Sequence, residues 1–290
     1  MEFDPRADTV VLGDNLDVLR RMPDGSVPLI YIDPPFNTGK VQARTRLRTV
    51  QHPDGDRVGF GGRTYRTTRL GRQSFDDAFD DYLAFLEPRL VEARRVLASS
   101  GTLYVHLDYR EVHYVKVLLD GIFGRACFLN EIIWAYDFGG RSTRRWPAKH
   151  DNILVYVATP GGHHFDSAGV DRIPYLAPGL AGAAKAARGK LPTDCWWQTI
   201  VPTAGRERTG YPTQKPLAIL RRIVAASSRP GDLVLDFFAG SGTTGAAARE
   251  LGRHFLLVDS NPAATRVMAQ RFAGMPDVRY VGFDPAVTAE

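Results

Sequence analysis

The sequence predicts an α/β fold, a doubly wound sheet of mostly parallel strands. Three observations carry that reading. Apolar runs of strand length alternate with helical periodicities along most of the chain. A strand, a glycine-rich turn and a helix start follow one another between residues 233 and 245. An apolar run at 27–32 stops abruptly on Asp33, Pro34, Pro35 and Phe36. Two prolines cannot continue a hydrogen-bonded ladder, so this tetrapeptide is a rigid loop at the strand's C-terminal end.

In chain order, residues 9–12 form a short buried strand, after which Asp14 or Asn15 caps a helix carrying Leu16, Leu19 and Met22. The strand at 27–32 follows. From Lys40 to Arg72 the periodicity disappears, and Lys40, Arg44, Arg46, Arg48, Arg57, Arg63, Arg66, Arg69 and Arg72 face only Asp54 and Asp56. Such a stretch is either a solvated loop or an arm that contacts phosphates, because like charges at this density need a counter-field to become ordered. A helix is expected over 76–97, with Phe79, Leu83, Leu86, Leu90, Ala93 and Leu97 on one face. Next come a strand at 102–107, a helix at 110–123, and strands at 131–134 and 152–157. Residues 160–210, rich in Gly, Pro and Ala and holding Trp196 and Trp197, read as an insertion between two halves of the sheet. The second half runs helix 217–226, strand 233–237, helix 243–251, strand 255–258 and helix 262–272.

Composition narrows the class. A chain of 290 residues, 44% of them hydrophobic, can bury a substantial core. Its 37 basic against 32 acidic residues lean toward a polyanionic partner, though +5 is a modest excess for this size. Cys127 and Cys195 lack CxxC spacing and are too few for a disulfide framework or a zinc site, so they read as reduced core thiols, and no metal is expected. The N-terminal residues lack the layout of a signal peptide, and no apolar run is long enough to span a bilayer. A cytoplasmic protein with no membrane partner is the expectation.

The glycine turn points to a nucleotide-bearing ligand. Asp236 lies on the strand just before the turn, and Phe238, Ala239, Gly240, Ser241, Gly242, Thr243 and Thr244 lead into the helix. Gly240, Gly242 and Gly245 allow a tight turn and close backbone approach. Asp259, at the end of the next strand, is placed to accept hydrogen bonds from ribose hydroxyls. A dinucleotide fingerprint has the same features, so an NAD-dependent or flavin oxidoreductase is a rival reading, and a purely structural turn is another. Two details favour S-adenosyl-L-methionine. A negative charge at Asp236 suits an α-ammonium group but not a pyrophosphate, and Phe238 is aromatic where dinucleotide folds keep a small or aliphatic residue.

Taken alone, Asp33, Pro34, Pro35 and Phe36 could be a turn with a capping aspartate. Their position after a strand gives them a second meaning, since ligands of open α/β sheets bind at strand C-terminal edges. The exocyclic amino groups of adenine and cytosine are poor nucleophiles because their lone pair is delocalised into the ring. A carboxylate and a neighbouring carbonyl that accept both N–H hydrogens favour the pyramidal, nucleophilic nitrogen. Asp33 and the Pro34 carbonyl supply that pair, Pro35 helps fix its direction, and Phe36 offers a stacking face. A duplex base reaches such a pocket only by leaving the stack.

With both motifs in this order, the chain resembles the amino-methyltransferases of bacterial restriction–modification systems, in their β arrangement. There the Asp-Pro-Pro-Phe motif precedes the Phe-x-Gly-x-Gly motif, with target recognition between them. The likeness runs from Gly13, Asp14, Asn15 and Leu16 through Asp259, Ser260, Asn261 and Pro262. It implies a Rossmann-like methyltransferase sheet, permuted so that the cofactor half is C-terminal, within a single domain over 1–290. A catalytic half at 9–134 would carry a basic insertion at 40–73, target recognition would occupy 135–210, and cofactor binding 211–282. Asp14 would meet the cofactor's adenine edge. Asp259, with Ser260 and Asn261, would meet its ribose. Asp236 through Thr244 would wrap its methionine part, helped by Thr213, Gln214 and Lys215, residues that also read as an ordinary helix start. No recognisable target-recognition sequence matches 40–72 or the segment around Trp196.

Tyr104, His106, Asp108 and His113 resemble the family's middle motifs, but by themselves the histidines read as core or surface residues, and the resemblance does not make them bases. Arg141, Arg144, Arg145, Trp146 and Lys149 form a basic-aromatic cluster suited to phosphate contact and base stacking, or else a solvated loop. The function expected is site-specific methylation of a flipped base in double-stranded DNA. Adenine N6 is favoured because aspartate opens the first motif, with cytosine N4 as the alternative. A non-catalytic DNA-binding protein would explain the charge but leave the Asp33 loop idle. RNA and protein methylation use similar loops. A cognate restriction endonuclease is a partner the resemblance admits, and a homodimer is expected, with the apolar face of the 79–97 helix serving either as its interface or within the chain's own core.

Overall fold

Asp14 starts the first helix, as one of the two candidates was expected to. In the computed structural model, which describes residues 3–36, 81–139, 141–202 and 204–286 and the backbone of 42–51, 57–58 and 64–75, strand β1 (Thr9–Leu12) leads into helix α1 (Asn15–Arg20). The Asp14 carboxylate accepts hydrogen bonds from the backbone N–H of Leu16 and Asp17 at 2.7 and 3.4 Å, which satisfies donors that a helix start leaves open. Strand β2 (Val27–Ile32) ends at the proline loop. Pro28 lies where its pairing register shifts, as expected for a residue with no N–H to give the ladder.

The basic stretch corrects the expectation of an irregular loop. Strands β3 (Gln42–Gln51), β4 (Arg57–Val58) and β5 (Thr64–Phe75) form a separate antiparallel sheet, in the order β3–β5–β4. Arg44, Arg46 and Arg48 alternate with Thr45, Leu47 and Thr49, a period of two without an apolar face. A search for apolar periodicity passes over such a strand. Lys40 lies outside the described residues, as do Asp76 through Phe79 of the expected helix.

Helix α2 (Tyr82–Val96) begins at Asp81, which caps Ala84 at 2.9 Å, and buries Leu86, Leu90 and Ala93 completely. The face expected to serve a homodimer is therefore used inside the chain, against α1 and the sheet. Strand β6 (Leu97–Leu107) follows without a break and starts five residues earlier than expected, taking Leu97 from the helix. Helix α3 (Val112–Phe123) and strands β7 (Phe128–Ala135) and β8 (His150–Val157) complete the first half. Cys127 is buried, but Cys195 is exposed and so is not a core thiol.

Residues 160–210 are less separate than an insertion. They contain two short helices, α4 (Pro178–Ala181) and α5 (Ala183–Arg188), and strand β9 (Cys195–Trp197), which pairs parallel to β7 and extends the main sheet. Trp196 is buried and Trp197 exposed, as the strand's alternation requires. Helix α6 (Leu217–Ser227), strand β10 (Leu233–Asp236), helix α7 (Thr243–Glu250), strand β11 (His254–Asp259) and helix α8 (Pro262–Arg271) fall close to their expected places. Strand β12 (Arg279–Val281) was not anticipated; three residues carry too little pattern. No described helix is long and apolar enough to cross a membrane.

The main sheet has the order β12–β1–β11–β10–β2–β6–β8–β7–β9. Pairing is parallel from β12 through β6 and antiparallel on both sides of β8. Because β8 lies within 135–210 yet sits between β6 and β7, the middle region contributes to the sheet as well as to loops. Alternate residues face opposite cores. Val11, Ile30, Ile32 and Leu235 meet α1, α2 and α3, while Val10, Leu29, Tyr31 and Val234 meet α6, α7 and α8. The chain reverses direction across the sheet between β10 and β2, the position at which open α/β sheets form a ligand crevice. Close packing of α7 on β11 depends on Gly245, where a Cβ would come within 2.6 Å of Leu257 Cδ1 and 3.1 Å of Phe272 Cζ. Gly245→Ala is expected to cost about 1–3 kcal/mol by overpacking, measured as a lower denaturation midpoint in urea; unchanged stability would contradict this packing.

Candidate active site

A cleft of about 360 Å³ opens between the C-terminal ends of β10 and β2, lined by both the glycine turn and the Asp33 loop. The two motifs, far apart in sequence, thus open on one crevice as expected. Gly240 and Gly242 take φ values of +50° and +71°, which L side chains rarely adopt. A Cβ at Gly240 would stand 3.3 Å from the Tyr211 ring, on the side of the cleft. At Gly242 it would meet Met268 Cγ at 2.7 Å, so this second glycine serves packing.

The turn organises two carboxylates. Asp259 accepts from the Gly240 N–H and the Asn261 N–H, both at 2.8 Å. Asp236 accepts from the Phe238 N–H at 3.0 Å and the Thr244 hydroxyl at 2.6 Å. Burial pushes Asp236 up to about 7, aided by the charges of Asp33 and Asp259 and opposed by those hydrogen bonds. Burial likewise pushes Asp259 up to about 6, against its two backbone donors. Both are carboxyl groups held out of water, each with a donor on either oxygen but no cation hydrogen-bonded to it among the described residues. Ser241 and Thr243 bond each other at 3.0 Å, and Ala239 donates its N–H to Val258 at 3.1 Å, which fixes the turn's path. Ser260 and Asn261 also line the cleft, as does Phe238, 6.1 Å from the Phe85 ring.

Asp14 reaches the cleft rim with its oxygens already engaged, one capping α1 and the other 3.3 Å from the Arg89 guanidinium. Arg89 was missed by sequence reasoning. It is buried, lies 3.9 Å over the Phe85 ring, and donates to Asn15 Oδ1 at 2.6 Å. Asn15 in turn donates to the Phe237 carbonyl at 2.7 Å, tying α1 to the glycine turn. The only sequence signal was an arginine on the helix face that should have been apolar.

On the β2 side, Asp33 Oδ2 is ion-paired with Lys215, whose ammonium also lies 4.7 Å over the Phe36 ring. Lys215, expected on the cofactor's methionine part, lines the cleft and pairs there with Asp33. Asp33 Oδ1 is buried and has no hydrogen-bond partner among the described residues. Pro34, Pro35 and Phe36 line the cleft beside it. Thr213 also lines it and holds a left-handed φ of +60°, a strained conformation for a β-branched residue. Gln214 braces the loop from within, accepting from Thr209 and donating to the Glu207 carbonyl at 2.7 Å.

Behind this loop lies a buried polar chain. The Tyr31 hydroxyl and His106 Nδ1 are 2.8 Å apart, His106 Nε2 and Asp151 Oδ2 are 3.1 Å apart, and Tyr136 donates to Asp151 Oδ1 at 2.9 Å. Burial tends to raise the Asp151 carboxyl, but the His106 hydrogen bond and charge, with Lys215 and Tyr136, hold it below the ordinary range. Burial, then the charges of Asp33, Asp236 and Asp151, hold the Tyr31 hydroxyl well above the ordinary phenol range, so it stays protonated. His106 is a core histidine, as read from sequence, but a fully partnered one; His113 is on the surface.

Arg141, Arg144, Arg145 and Trp146 lie exposed on the loop joining β7 to β8, with Trp146 95% exposed. Lys149 closes the loop by donating to the Gly139 carbonyl at 3.1 Å. Since β8 runs antiparallel to β6, this loop emerges at the same sheet edge as the cleft. The basic stretch of β3 carries Arg44, Arg46 and Arg48, of which only the backbone is described.

Comparison with known proteins places this geometry. The chain is 29% identical over 277 residues to the type II methyltransferase M.HpaI of Haemophilus parainfluenzae, spanning 95% of this chain and 76% of that protein. It is 29% identical over 272 residues to the DNA adenine methyltransferase YhdJ of Escherichia coli (strain K12), spanning 89% of this chain and 80% of that one. TTHA0409 of Thermus thermophilus, solved in complex with S-adenosyl-L-methionine, shares the fold with a TM-score of 0.58 at 22% identity, over 96% of this chain and 99% of that one. The DNA methylase family model, N6_N4_Mtase, matches residues 27–270. That span runs from the strand carrying Asp33 through the glycine turn to α8, and the chain belongs to this DNA methylase family.

Proposed function

We propose that this chain transfers a methyl group from S-adenosyl-L-methionine to the exocyclic amino group of a base flipped out of double-stranded DNA, with N6 of adenine as the target. The observation that carries the catalytic assignment is Asp33. One carboxylate oxygen is fixed by Lys215, while the other is buried and has no hydrogen-bond partner among the described residues, in a side chain that lines the cleft. A buried acceptor without a donor costs about 1–3 kcal/mol, which an incoming N–H would recover. A pyramidal nitrogen would follow from donation of its two hydrogens to Asp33 and the Pro34 carbonyl, with the base plane resting on Phe36.

The residues around the glycine turn fit the methyl donor. Asp236 and Asp259 are desolvated anions suited to an ammonium and to ribose hydroxyls, and Gly240 keeps the floor of the cleft free of a side chain. Gly240 through Thr244, with Ser260 and Asn261, would complete its cradle. When bound, the donor supplies a methyl group already activated by a sulfonium charge, leaving the protein to orient, desolvate and accept a proton. A pyrophosphate-bearing cofactor would face Asp236 unfavourably, which counts against an oxidoreductase.

Support for adenine comes from the aspartate that opens the motif and from the adenine specificity in the name of one relative. Digesting methylated DNA to nucleosides and resolving them by mass is expected to give N6-methyladenine; label only in N4-methylcytosine would overturn the base while leaving the reaction class intact. We assign DNA contact to Arg141, Arg144, Arg145 and Trp146, whose side chains are exposed at the cleft edge.

Asp33→Ala is expected to keep donor binding and most DNA affinity while turnover falls by about a hundredfold or more, on the order of 3 kcal/mol in the barrier. Single-turnover kinetics with calorimetric binding would check this, and activity within tenfold of the parent would remove Asp33 from the reaction.

The raised value of Asp236 sets a pH dependence. Its charged form is the one that pairs with an ammonium, so donor affinity is expected to strengthen as pH rises through about 7. The sign for folding is opposite. The folded state holds the Asp236 proton to higher pH than the unfolded chain, so the unliganded protein loses stability as pH rises from the carboxylate range toward 7. Calorimetry across this range should show the trend, and Asp236→Asn should flatten it; a parallel slope in that variant would assign the titration elsewhere.

A further inference from the structure

The buried chain behind the catalytic loop has no part in the chemistry described so far, yet its ends are specific. Tyr31 lies near the end of β2, two residues before Asp33 in the loop that follows, and both residues line the cleft. At the other end, Tyr136 and Asp151 flank the basic loop: β7 ends at Ala135, β8 begins at His150, and the Tyr136 N–H donates to the Lys149 carbonyl at 3.0 Å to close the loop's neck. His106 joins the two ends and is completely buried. Its ring lies 6.1 Å from Phe36 and 5.4 Å from Trp134, the latter edge-on.

Directionality follows from the donors available. A carboxylate only accepts, and Asp151 takes the Tyr136 O–H on one oxygen and His106 Nε2–H on the other. In the tautomer with its hydrogen on Nε2, the ring leaves Nδ1 to accept the Tyr31 hydroxyl. Each group therefore has one orientation that satisfies its neighbour, and a shift at the loop's neck cannot be absorbed without breaking a buried hydrogen bond.

We propose that Tyr31, His106, Asp151 and Tyr136 form a positioning chain that couples engagement of DNA by the 137–149 loop to the stance of Phe36 and Asp33. His106 and Asp151 are its positioning residues. The inference rests on the methyltransferase reading above. In it, the exposed arginines and Trp146 dock on the duplex, and the hydrogen-bonded neck transmits that docking to the surface on which the flipped base is seated.

Tyr136→Phe is the cleanest probe, because it removes one hydroxyl at the neck and leaves the cleft intact. With tritiated S-adenosyl-L-methionine and unmethylated phage DNA, Tyr136→Phe and Asp151→Asn are each expected to lower kcat by about tenfold or more, while donor affinity and the KM for DNA stay within about threefold. In a chain acting as a unit, the double variant Tyr136→Phe/His106→Gln should be no slower than His106→Gln alone. Thermal melting of every variant separates this from loss of fold, and Tyr136→Phe keeps the test decisive if His106→Gln unfolds. An unaltered kcat in Tyr136→Phe, strictly additive losses, or losses confined to KM would overturn the coupling alone. A parent protein that methylates no DNA would overturn the functional reading and the coupling with it.

Discussion

Three carboxylates, Asp33, Asp236 and Asp259, converge on one partly desolvated cleft, and the surrounding structure is arranged to hold that charge. Burial and mutual repulsion raise Asp236, and burial raises Asp259. The structure meets this load with short-range donors. Backbone N–H groups of Phe238, Gly240 and Asn261 and the Thr244 hydroxyl serve the glycine-turn pair, and Lys215 serves Asp33. The Gly240 N–H reaches Asp259 from a turn with positive φ, which ties that backbone conformation to the electrostatics of the site. What remains unmet, Asp33 Oδ1 and part of the charge at the turn, is what a ligand can satisfy. Stability is given up there for a preorganised site.

Strand order makes the convergence possible. β10 pairs with β2, although their sequences are separated by most of the chain, and each ends in the residue that matters: Asp236 on one, Asp33 just beyond the other. Parallel pairing puts both C-terminal ends at one edge, and α1 is drawn to the same edge by Asn15 and Arg89. The antiparallel β8 has a separate effect. By reversing direction beside β6, it delivers the β7–β8 loop to the cleft edge and brings Asp151, two residues along β8 from Ile153 opposite His106, within reach of the His106 ring.

The legible parts of the sequence were those with a strong local signal. Apolar runs gave β1 and β2 their observed limits, the two prolines gave the loop after β2, and the glycine spacing gave the turn after β10. The illegible parts depended on long-range partners. Arg89 looks like a surface residue until Asn15, Asp14 and Phe85 surround it, and Lys215 looks like a helix start until its ammonium reaches Asp33 across the sheet. His106 could be read as buried, but the four-member chain through it joins residues on four separate segments, from Tyr31 to Asp151. β3 and β5 were missed for a different reason: both are mostly polar, without a sustained alternation of apolar and polar residues, and hydropathy has little contrast to detect.

The distribution of burial separates chemistry from recognition. Asp33, Asp236, His106 and Asp151 are fixed by hydrogen bonds to elements of the main sheet and the turns beside it, and Asp151 also joins His106 to Tyr136 at the neck of the surface loop. The 137–149 loop is the opposite, with Trp146 almost wholly in water and arginines that project from a turn held by Ser142. An exposed tryptophan among arginines gains nothing within the monomer, whereas stacking or phosphate contact would reward both residue types. Such a loop can change its contacts without repacking the sheet, provided its neck keeps one geometry. The hydrogen bonds of Tyr136 to Asp151 and to Lys149 supply that geometry, and through Asp151 they tie the neck to His106 in the core.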